Sequence, residues 1–257
     1  MSDYTTIRFD VADGIGTLVL NRPEMINALN SQMRAEITKV LTTLPAGLGC
    51  VVLTGAGRGF CSGQDLTDAS AAADIGGTLR REYEPMLRAI TDCPVPVIAA
   101  VNGIAAGAGA NLALVADVVI AAQSAAFVQA FSKIALIPDA GGTWFVPRAV
   151  GHARAMGMML FADKISAQQA ADWGLIYEVL PDDEFVAGVA ARARHLADGP
   201  TGCFLSIRQA LRQSAVNDLD AQLALEADLQ DKAGSSADFR EGVMAFLQKR
   251  PPRFGGR

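Results

Sequence analysis

The first half of the chain alternates between two hydrophobic patterns. Residues 5–10 and 16–20 have the alternating positions of β-strands and are separated by a turn at residues 12–14. The polar pair Asn30-Ser31 precedes apolar residues at helical spacing, which predicts a helix that begins there. Apolar runs predict buried strands at residues 50–53, 96–101 and 118–121, with a helix near residues 78–91 and another after the glycines of residues 103–109. This alternation is typical of a parallel sheet with crossover helices.

The second half of the chain has a different pattern. From Thr143 onward, nearly every segment has apolar residues at helical spacing. The predicted helices are residues 166–173, 182–196, 201–213, 219–233 and 236–249. We therefore predict a layered α/β core with the functional site at residues 1–199, followed by a helical C-terminal region at residues 200–257.

Composition and charge exclude several classes of protein. Hydrophobic residues make up 51% of the 257 residues and charged residues 19%, which is typical of a globular protein with a sizeable core. The net charge of -5 indicates no basic surface for nucleic acid. No apolar run reaches the length of about 18 residues that a membrane span requires. We therefore expect neither a nucleic-acid partner nor a membrane.

The cysteines and the polar first residues bear on the location of the protein. No two cysteines form a CxxC pair, so neither a zinc knuckle nor a dithiol redox motif is indicated. The first residues are polar and lack the apolar segment of a secretion signal. Both observations favour a reducing, cytoplasmic location.

Two common kinds of site find little support in the sequence. The histidines His152 and His195 are assigned to a turn and a surface helix, so neither a Ser-His-Asp triad nor a histidine metal site is indicated. Gly107 and Gly109 match half of a dinucleotide-binding fingerprint, but Leu112 stands where its third glycine would be. We therefore expect no metal and no nicotinamide cofactor.

Two glycine-rich loops, at residues 55–59 and 103–109, each follow a predicted buried strand. Glycine permits the close approach of backbone N–H groups to a ligand. Side by side, two such loops would supply two N–H groups to one oxygen atom, which is an oxyanion hole. Tight turns in an α/β sheet explain the same glycines equally well, so the glycines alone leave both interpretations open.

Asp139 lies between Pro138 and the pair Gly141-Gly142 in an otherwise apolar stretch. An acid there can cap the helix predicted to begin near Thr143. Alternatively, apolar surroundings raise the pKa of a carboxyl group and suit it to act as a general base. From the pattern of residues alone, the cap is the favoured interpretation.

Taken together, these segments resemble the crotonase, or enoyl-CoA hydratase/isomerase, superfamily, and the match extends over nearly the whole chain in the family's order. The matching motifs are Asn21-Arg-Pro-Glu, Asn27-Ala-Leu-Asn30, Gly59-Phe-Cys-Ser-Gly63-Gln64-Asp65-Leu66, Ala100-Val-Asn-Gly103 through Gly109, Ile137-Pro-Asp-Ala-Gly-Gly-Thr143, Ser166-Ala-Gln-Gln-Ala-Ala-Asp-Trp-Gly-Leu175 and residues 240–250. The resemblance implies a crotonase-like spiral of β-β-α units. It also implies a helical C-terminal region that builds homotrimers, often paired into hexamers.

The resemblance further implies an acyl-CoA thioester as substrate and no separate cofactor, because CoA is part of that substrate. By position in the motifs, the backbone N–H groups of Gln64 and Ala108 would form an oxyanion hole, and Asp139 would be the catalytic residue. Contacts to the substrate or to CoA are implied for Met25, Ala28, Asp65, Leu66, Phe131, Phe246 and Lys249. In the family, the contacts at Phe246 and Lys249 often reach the CoA of a neighbouring subunit.

Departures from the family pattern favour an isomerase over a hydratase. Family hydratases place a water molecule with two glutamates, and here Asn111 and Phe131 stand at those two positions. Asp139 stands where hydratases have a glycine, as in family isomerases. A lone carboxylate suits proton transfer between two carbons better than the addition of water. The resemblance therefore favours a base over a cap for Asp139.

Three functions fit this pattern. Residues 131–157 and the ending Arg250-Pro-Pro-Arg-Phe254 resemble the branch of the family that isomerises ring-1,2-epoxyphenylacetyl-CoA to oxepin-CoA in phenylacetate degradation. The first alternative is a general Δ3,Δ2-enoyl-CoA isomerase, or an enoyl-CoA hydratase, of fatty-acid or adipyl-type catabolism. The second is a non-catalytic acyl-CoA-binding protein, against which Asp139 and both glycine-rich loops argue.

Overall fold

The computed structural model describes residues 4–69 and 73–255, so residues 1–3 of the polar start lie outside the described residues. The described strands are β1 (Ile7–Ala12), β2 (Ile15–Leu20), β3 (Cys50–Gly55), β4 (Gly59–Cys61), β5 (Val97–Val101), β6 (Ile104–Ala106), β7 (Val118–Ala122), β8 (Ala126–Val128), β9 (Ile165–Ser166) and β10 (Glu178–Leu180). The larger sheet has the order β1-β2-β3-β5-β7-β10, and the smaller sheet has the order β4-β6-β8-β9. Neighbouring strands are parallel except β1 with β2 and β8 with β9.

Helices connect and cover the two sheets. The helix α1 (Ser31–Thr42) begins where the sequence predicts, because Asn30 Oδ1 accepts a hydrogen bond from Met33 N at 2.9 Å and caps its first turn. The other described α-helices are α2 (Ile75–Thr78), α3 (Glu84–Thr91), α4 (Ala108–Leu114), α5 (Gly142–Val150), α6 (His152–Phe161), α7 (Ala167–Asp172), α8 (Phe185–Ala197), α9 (Thr201–Gln213), α10 (Leu219–Gly234) and α11 (Ala237–Leu247). A π-helical segment, Leu79–Tyr83, joins α2 to α3. Across the described ranges, no helix is both long enough and apolar enough to cross a membrane.

The chain winds through successive β-β-α units. In the pairs β3-β4, β5-β6 and β7-β8, the first strand joins the larger sheet and the second joins the smaller sheet. Helix α4 follows the second of these pairs, contacts strands of both sheets, and has every residue buried. The α/β fold and its spiral of β-β-α units are therefore confirmed, as is the central position of the helix predicted after the second glycine-rich loop, although this helix begins at Ala108 rather than after Gly109.

Several predicted boundaries differ from the structure. The first strand begins at Ile7 rather than at residue 5, because the backbone N–H groups of Thr5 and Thr6 donate to the Glu36 carboxylate at 2.9 Å each. The strands of the smaller sheet were not predicted, and the second half is not purely helical, since β10 pairs with β7 there. Strands of two or three residues are too short for an alternating pattern to be recognised.

The last three helices, α9 to α11, follow the final described strand. Arg208 of α9 holds this region against the core: its guanidinium donates to Asp117 Oδ1 at 2.7 Å and to Val95 O at 2.8 Å. Large apolar side chains of the region remain exposed, among them Phe246 at 84% and Leu211 at 68%. The division of the chain at residue 200 stays a prediction.

Candidate active site

A cavity of about 320 Å³ lies where the loop after β4, the start of α4 and the loop before α5 approach one another. It brings together residues of the predicted site that lie far apart in the chain. These are Gln64, Asp65, Leu66, Ala108, Phe131 and Asp139. Apolar side chains such as Leu79, Ile134 and Leu136 line much of the remaining wall. The cavity is therefore suited to an apolar group presented beside a few polar atoms.

Two backbone N–H groups at this cavity have no acceptor within the described residues. Leu29 N donates to Gly63 O at 2.8 Å and Asp65 N donates to Leu29 O at 3.0 Å, which leaves the Gln64 N–H unused. Ala108 is the first residue of α4, where N–H groups have no partner inside the helix. Gly63 has a φ of 99°, and a Cβ atom on it would lie 3.4 Å from Ala108 N. Glycine thus allows the two N–H groups to approach each other.

The first of the two glycine-rich loops, residues 55–59, does not line the cavity. Residues 55–59 form the tight turn between β3 and β4, and a Cβ atom on Gly55 would lie 2.4 Å from Gly59 O. The loop that faces the cavity comes after β4 and contains Gly63 and Gln64. The interpretation of residues 55–59 as a tight turn is therefore correct, whereas residues 103–109 do lead into the cavity.

The Asp139 carboxyl group lies at the same cavity. Its Oδ1 atom is buried and has no hydrogen-bond partner in the part of the chain that the structure describes. Burial raises the pKa of Asp139 from 3.8 to about 6, although the backbone N–H of the same residue opposes the shift. Helix α5 has Gly141 as its N-cap and receives no side-chain cap, so the cap interpretation of Asp139 is wrong. A carboxyl group with this pKa can accept a proton near neutral pH.

The carboxyl group of Asp65, by contrast, is occupied by partners. It accepts hydrogen bonds from Arg22 Nη1 at 2.8 Å and from Thr67 Oγ1 at 2.6 Å. Burial opposes the charge of Asp65, but the hydrogen bonds from Thr67 and Arg22 outweigh burial and lower its pKa. Asp65 is therefore a charged anchor of the loop, and Asp139 is the better candidate for proton transfer.

A pair of buried amides supports the Asp139 loop. Asn111 Nδ2 donates to Asp139 O at 2.8 Å, and Gln129 Nε2 donates to Asn111 Oδ1 at 2.8 Å. Gln129 thereby fixes which end of the Asn111 amide faces the loop. A Cβ atom on Gly142 would lie 2.3 Å from Asn111 Nδ2, so a glycine is needed at the start of α5. Phe131 contributes a phenyl ring, not a carboxylate, to the cavity wall.

Three further residues near the cavity were not predicted from the sequence: Gln129, which bonds Asn111, and Arg34 and Tyr83, which both bond Gln64 Oε1. Arg34 left a signal, because it lies on the buried face of α1 with Met33 and Ile37, where the pattern requires an apolar residue. Gln129 immediately follows a strand of only three residues, so no hydrophobic pattern in the sequence marks it. Tyr83 lines the cavity from the π-helical segment and is buried.

Two of the predicted CoA contacts lie next to the cavity, although they do not line it. Met25 is exposed and Ala28 is buried. Arg22 Nη1 donates to Ala28 O at 2.7 Å and to the carboxylate of Asp65 at 2.8 Å. The same side chain therefore ties this segment to the loop that forms the cavity wall.

The two C-terminal residues lie elsewhere in the single chain. Phe246 lines a separate cavity of about 650 Å³ among the C-terminal helices. Lys249 follows the end of α11 and has a positive φ of 53°. The structure of one chain does not bring Phe246 or Lys249 to the cavity that holds Asp139.

Metal ligands are not gathered at any point of the described ranges, where no three His, Cys, Asp or Glu side chains cluster. His152 is the first residue of α6 rather than part of a turn, and His195 lies on α8 as predicted; both are exposed. The cysteines Cys50, Cys61, Cys93 and Cys203 are all free.

Comparison with known proteins gives one consistent result. The enoyl-CoA hydratase/isomerase family matches residues 10–257. A protein of Rhodobacter capsulatus named "Probable enoyl-CoA hydratase" is 59% identical over 255 residues, covering 99% of each chain. The 1,2-epoxyphenylacetyl-CoA isomerase of Escherichia coli is 52% identical, over 96% of this chain and 97% of its own. The crystal structure of an enoyl-CoA hydratase from Bacillus anthracis has a TM-score of 0.91 and 32% identity, over 98% of this chain and 100% of that chain. The chain therefore belongs to the enoyl-CoA hydratase/isomerase family and has its crotonase fold.

Proposed function

We propose that the protein is an acyl-CoA isomerase that acts through a thioester enolate held in a backbone oxyanion hole. Its proposed reaction is the conversion of ring-1,2-epoxyphenylacetyl-CoA to oxepin-CoA in phenylacetate degradation. The observation that carries the proposal is the meeting of the Gln64 segment, the start of α4 at Ala108 and the partly buried Asp139 carboxyl group at one cavity.

Each group has a defined task in the proposed mechanism. The N–H groups of Gln64 and Ala108 donate to the thioester oxygen and polarise the carbonyl group. Asp139 removes the acidified proton from the adjacent carbon. Both N–H groups stabilise the resulting enolate, each contributing roughly 3 kcal/mol. Asp139 then returns the proton to another carbon, which shifts a double bond. With an aryl epoxide, the electron pair of the enolate becomes a double bond to the ring, the C–C bond shared by the epoxide and the ring breaks, and the proton returns to a ring carbon to give the oxepin.

The surroundings of Asp139 favour isomerisation over hydration. Its pKa of about 6 allows it to be deprotonated at neutral pH and still to return a proton. Asn111 and Phe131 occupy the two positions from which family hydratases place water, and neither side chain can activate a water molecule as a base. The proton is therefore most readily transferred between carbons of the bound acyl group.

The proposed acyl group follows from similarity and from the wall of the cavity. The 52% identity to the Escherichia coli epoxyphenylacetyl-CoA isomerase supports a ring substrate. The apolar residues Phe131 and Leu136 provide a surface against which a ring would pack. A general Δ3,Δ2-enoyl-CoA isomerase or an enoyl-CoA hydratase is the second candidate, and the name of the relative from Rhodobacter capsulatus favours the hydratase.

We also propose that the protein is a homotrimer or a hexamer and needs no separate cofactor. The CoA part of the substrate would lie along Met25, Ala28 and the Asp65-Leu66 backbone. The exposed Phe246, which is 84% accessible in the single chain, would contact CoA together with Lys249, within the same subunit or a neighbouring one.

The test is a parallel assay of three thioesters with one enzyme preparation. We expect turnover of ring-1,2-epoxyphenylacetyl-CoA to exceed that of trans-3-hexenoyl-CoA and of crotonyl-CoA. Faster turnover of trans-3-hexenoyl-CoA would favour the general isomerase, and faster hydration of crotonyl-CoA would favour the hydratase. Binding of all three thioesters without any turnover would identify a non-catalytic acyl-CoA-binding protein.

A further inference from the structure

Arg34 is a buried arginine that the proposed mechanism does not use. It lies on α1 with only 1% of its surface exposed. Its guanidinium donates to Glu82 Oε2 from Nε at 2.9 Å and from Nη2 at 2.7 Å. Burying an arginine is costly unless its donors are paired, and the carboxylate of Glu82 supplies the balancing charge. Asp68 Oδ2 lies 3.4 Å from Nη2 as a second carboxylate, so the donors that remain for another task are those of Nη1.

Those donors reach the Gln64 segment from two directions. Arg34 Nη1 donates to Gln64 Oε1 at 2.8 Å and to Leu29 O at 2.8 Å. Leu29 is the residue that pairs with Gln64 in an isolated parallel bridge. One nitrogen of Arg34 thus holds both the side chain of Gln64 and the backbone strand that lies beside it. These contacts fix the peptide that carries the Gln64 N–H.

Tyr83 is the second residue that holds the Gln64 side chain in place. Its hydroxyl donates to Gln64 Oε1 at 2.7 Å, and its ring lies 4.8 Å from the Arg34 guanidinium carbon. Burial raises the pKa of Tyr83, so the phenol stays protonated and remains a donor. Gln64 Nε2 donates to Asp65 O at 2.9 Å. With its amide occupied at both ends, Gln64 presents its backbone N–H to the cavity.

We propose that Arg34 is a positioning residue that aims the Gln64 N–H at the thioester oxygen. The inference rests on the proposed function, because it takes the Gln64 N–H to be one donor of the oxyanion hole. Arg34 itself lies behind the cavity wall and acts through Gln64 and Leu29. The planar fork of a guanidinium can hold Glu82, Gln64 and Leu29 at once, whereas a lysine ammonium cannot reproduce that geometry. A misplacement of about 1 Å at such a donor costs on the order of 10²-fold in rate.

The experiment uses the full-length variants Arg34→Lys and Arg34→Met with 2,4-hexadienoyl-CoA as the probe. The absorption of this conjugated thioester moves to longer wavelength when its carbonyl group is polarised. The position of the bound band does not depend on the fraction of folded protein, so it separates donor geometry from a loss of stability. Arg208→Lys is the matched control, because Arg208 is also a mostly buried arginine, with a side chain 11% exposed and paired to Asp117.

We expect wild type and Arg208→Lys to give the same red shift on the bound probe. Both Arg34 variants should bind the probe with an affinity within about threefold of wild type and lose at least half of the red shift. Their turnover of a thioester substrate should be tenfold to a hundredfold slower, as expected when an oxyanion-hole donor is misplaced. A full red shift in Arg34→Met, or an equal loss in Arg208→Lys, would overturn the role of Arg34 alone. Wild-type protein that binds the probe with no red shift would overturn the proposed oxyanion hole, and the role of Arg34 with it.

Discussion

The amide nitrogen of Asn111 donates a hydrogen bond to the carbonyl oxygen of Asp139 at 2.8 Å. Asn111 belongs to α4, the helix whose first residue, Ala108, supplies a proposed oxyanion donor. One rigid and fully buried helix therefore carries a donor at its first turn and holds the loop of the proposed base. The helix therefore links the proposed donor at Ala108 to the loop that carries Asp139.

The first prediction concerns Asn111→Asp. The substitution keeps the shape of the side chain but replaces the donor that faces Asp139 O with a second acceptor, so the loop should move. We expect kcat to fall by about 10- to 100-fold, as for a misaligned general base, with little change in KM. Steady-state kinetics on the best thioester would measure both constants.

The matched control for that variant is Asn102→Asp. Asn102 also ties two loops together, with Nδ2 donating to Gly57 O at 3.1 Å, but it does not line the cavity. We expect this control to lower thermal stability without lowering kcat. Equal losses of kcat in Asn111→Asp and Asn102→Asp would show that lower stability of the fold, and not a displaced Asp139, causes the loss of activity.

The second prediction concerns Asp139→Asn. The amide keeps the shape of the side chain but cannot take up a proton at useful pH. The kcat of isomerisation should therefore fall by about 10²- to 10⁴-fold or more, while the affinity for the CoA ester stays largely intact. A variant that keeps more than about a tenth of the wild-type kcat would assign the proton transfer to another residue, since a removed general base costs more than that.

The third prediction is a stability difference that depends on pH. The folded-state pKa of Asp139, about 6, lies above its usual value of 3.8, so ionisation of Asp139 costs folding free energy once the pH exceeds the unfolded value. Above pH 6, Asp139→Asn should be more stable than wild type by on the order of 1–3 kcal/mol, and the difference should vanish below about pH 4. Urea unfolding of both proteins at several pH values measures this difference, and Asp10→Asn, at an exposed position, is the control. A stability difference that does not depend on pH would contradict the raised pKa of Asp139.

The fourth prediction is the pH dependence of the reaction itself. The base form of Asp139 is the carboxylate, so kcat/KM should decline as the pH falls through about 6. Rates measured from about pH 4.5 to 8 with one thioester would define this acidic limb. A limb centred near pH 4 would mean that the working carboxyl group is not the buried one.

The fifth prediction concerns assembly. Phe246 and Leu211 are 84% and 68% exposed, and we expect partner subunits to cover much of this apolar region in a trimer or a multiple of three. Light scattering that gives a stable monomer or a simple dimer would contradict this.

The same preparation should hydrate crotonyl-CoA far more slowly than it isomerises a 3-enoyl-CoA.

The sequence by itself determined the larger elements of the fold. Asn30 was recognised as the start of α1 because a capping side chain acts on the backbone three residues away. The long, buried strands and the central helix α4 are predictable because an apolar run between glycines and polar residues is a local feature of the chain. The resemblance of whole motifs then singled out Gln64, Ala108 and Asp139, which the structure brings to one cavity.

Only the tertiary structure decided which residues support that cavity. Arg34 and Gln64 are 30 positions apart, and Asn111 and Asp139 are 28 apart, so their hydrogen bonds leave no periodic trace in the sequence. The environment of Asp139 also depends on distant packing, because burial by other segments raises its pKa, and Oδ1 has no hydrogen-bond partner among the described residues. Local patterns specify elements through interactions a few residues apart, whereas a carboxyl group acquires its chemistry from the groups that folding places around it.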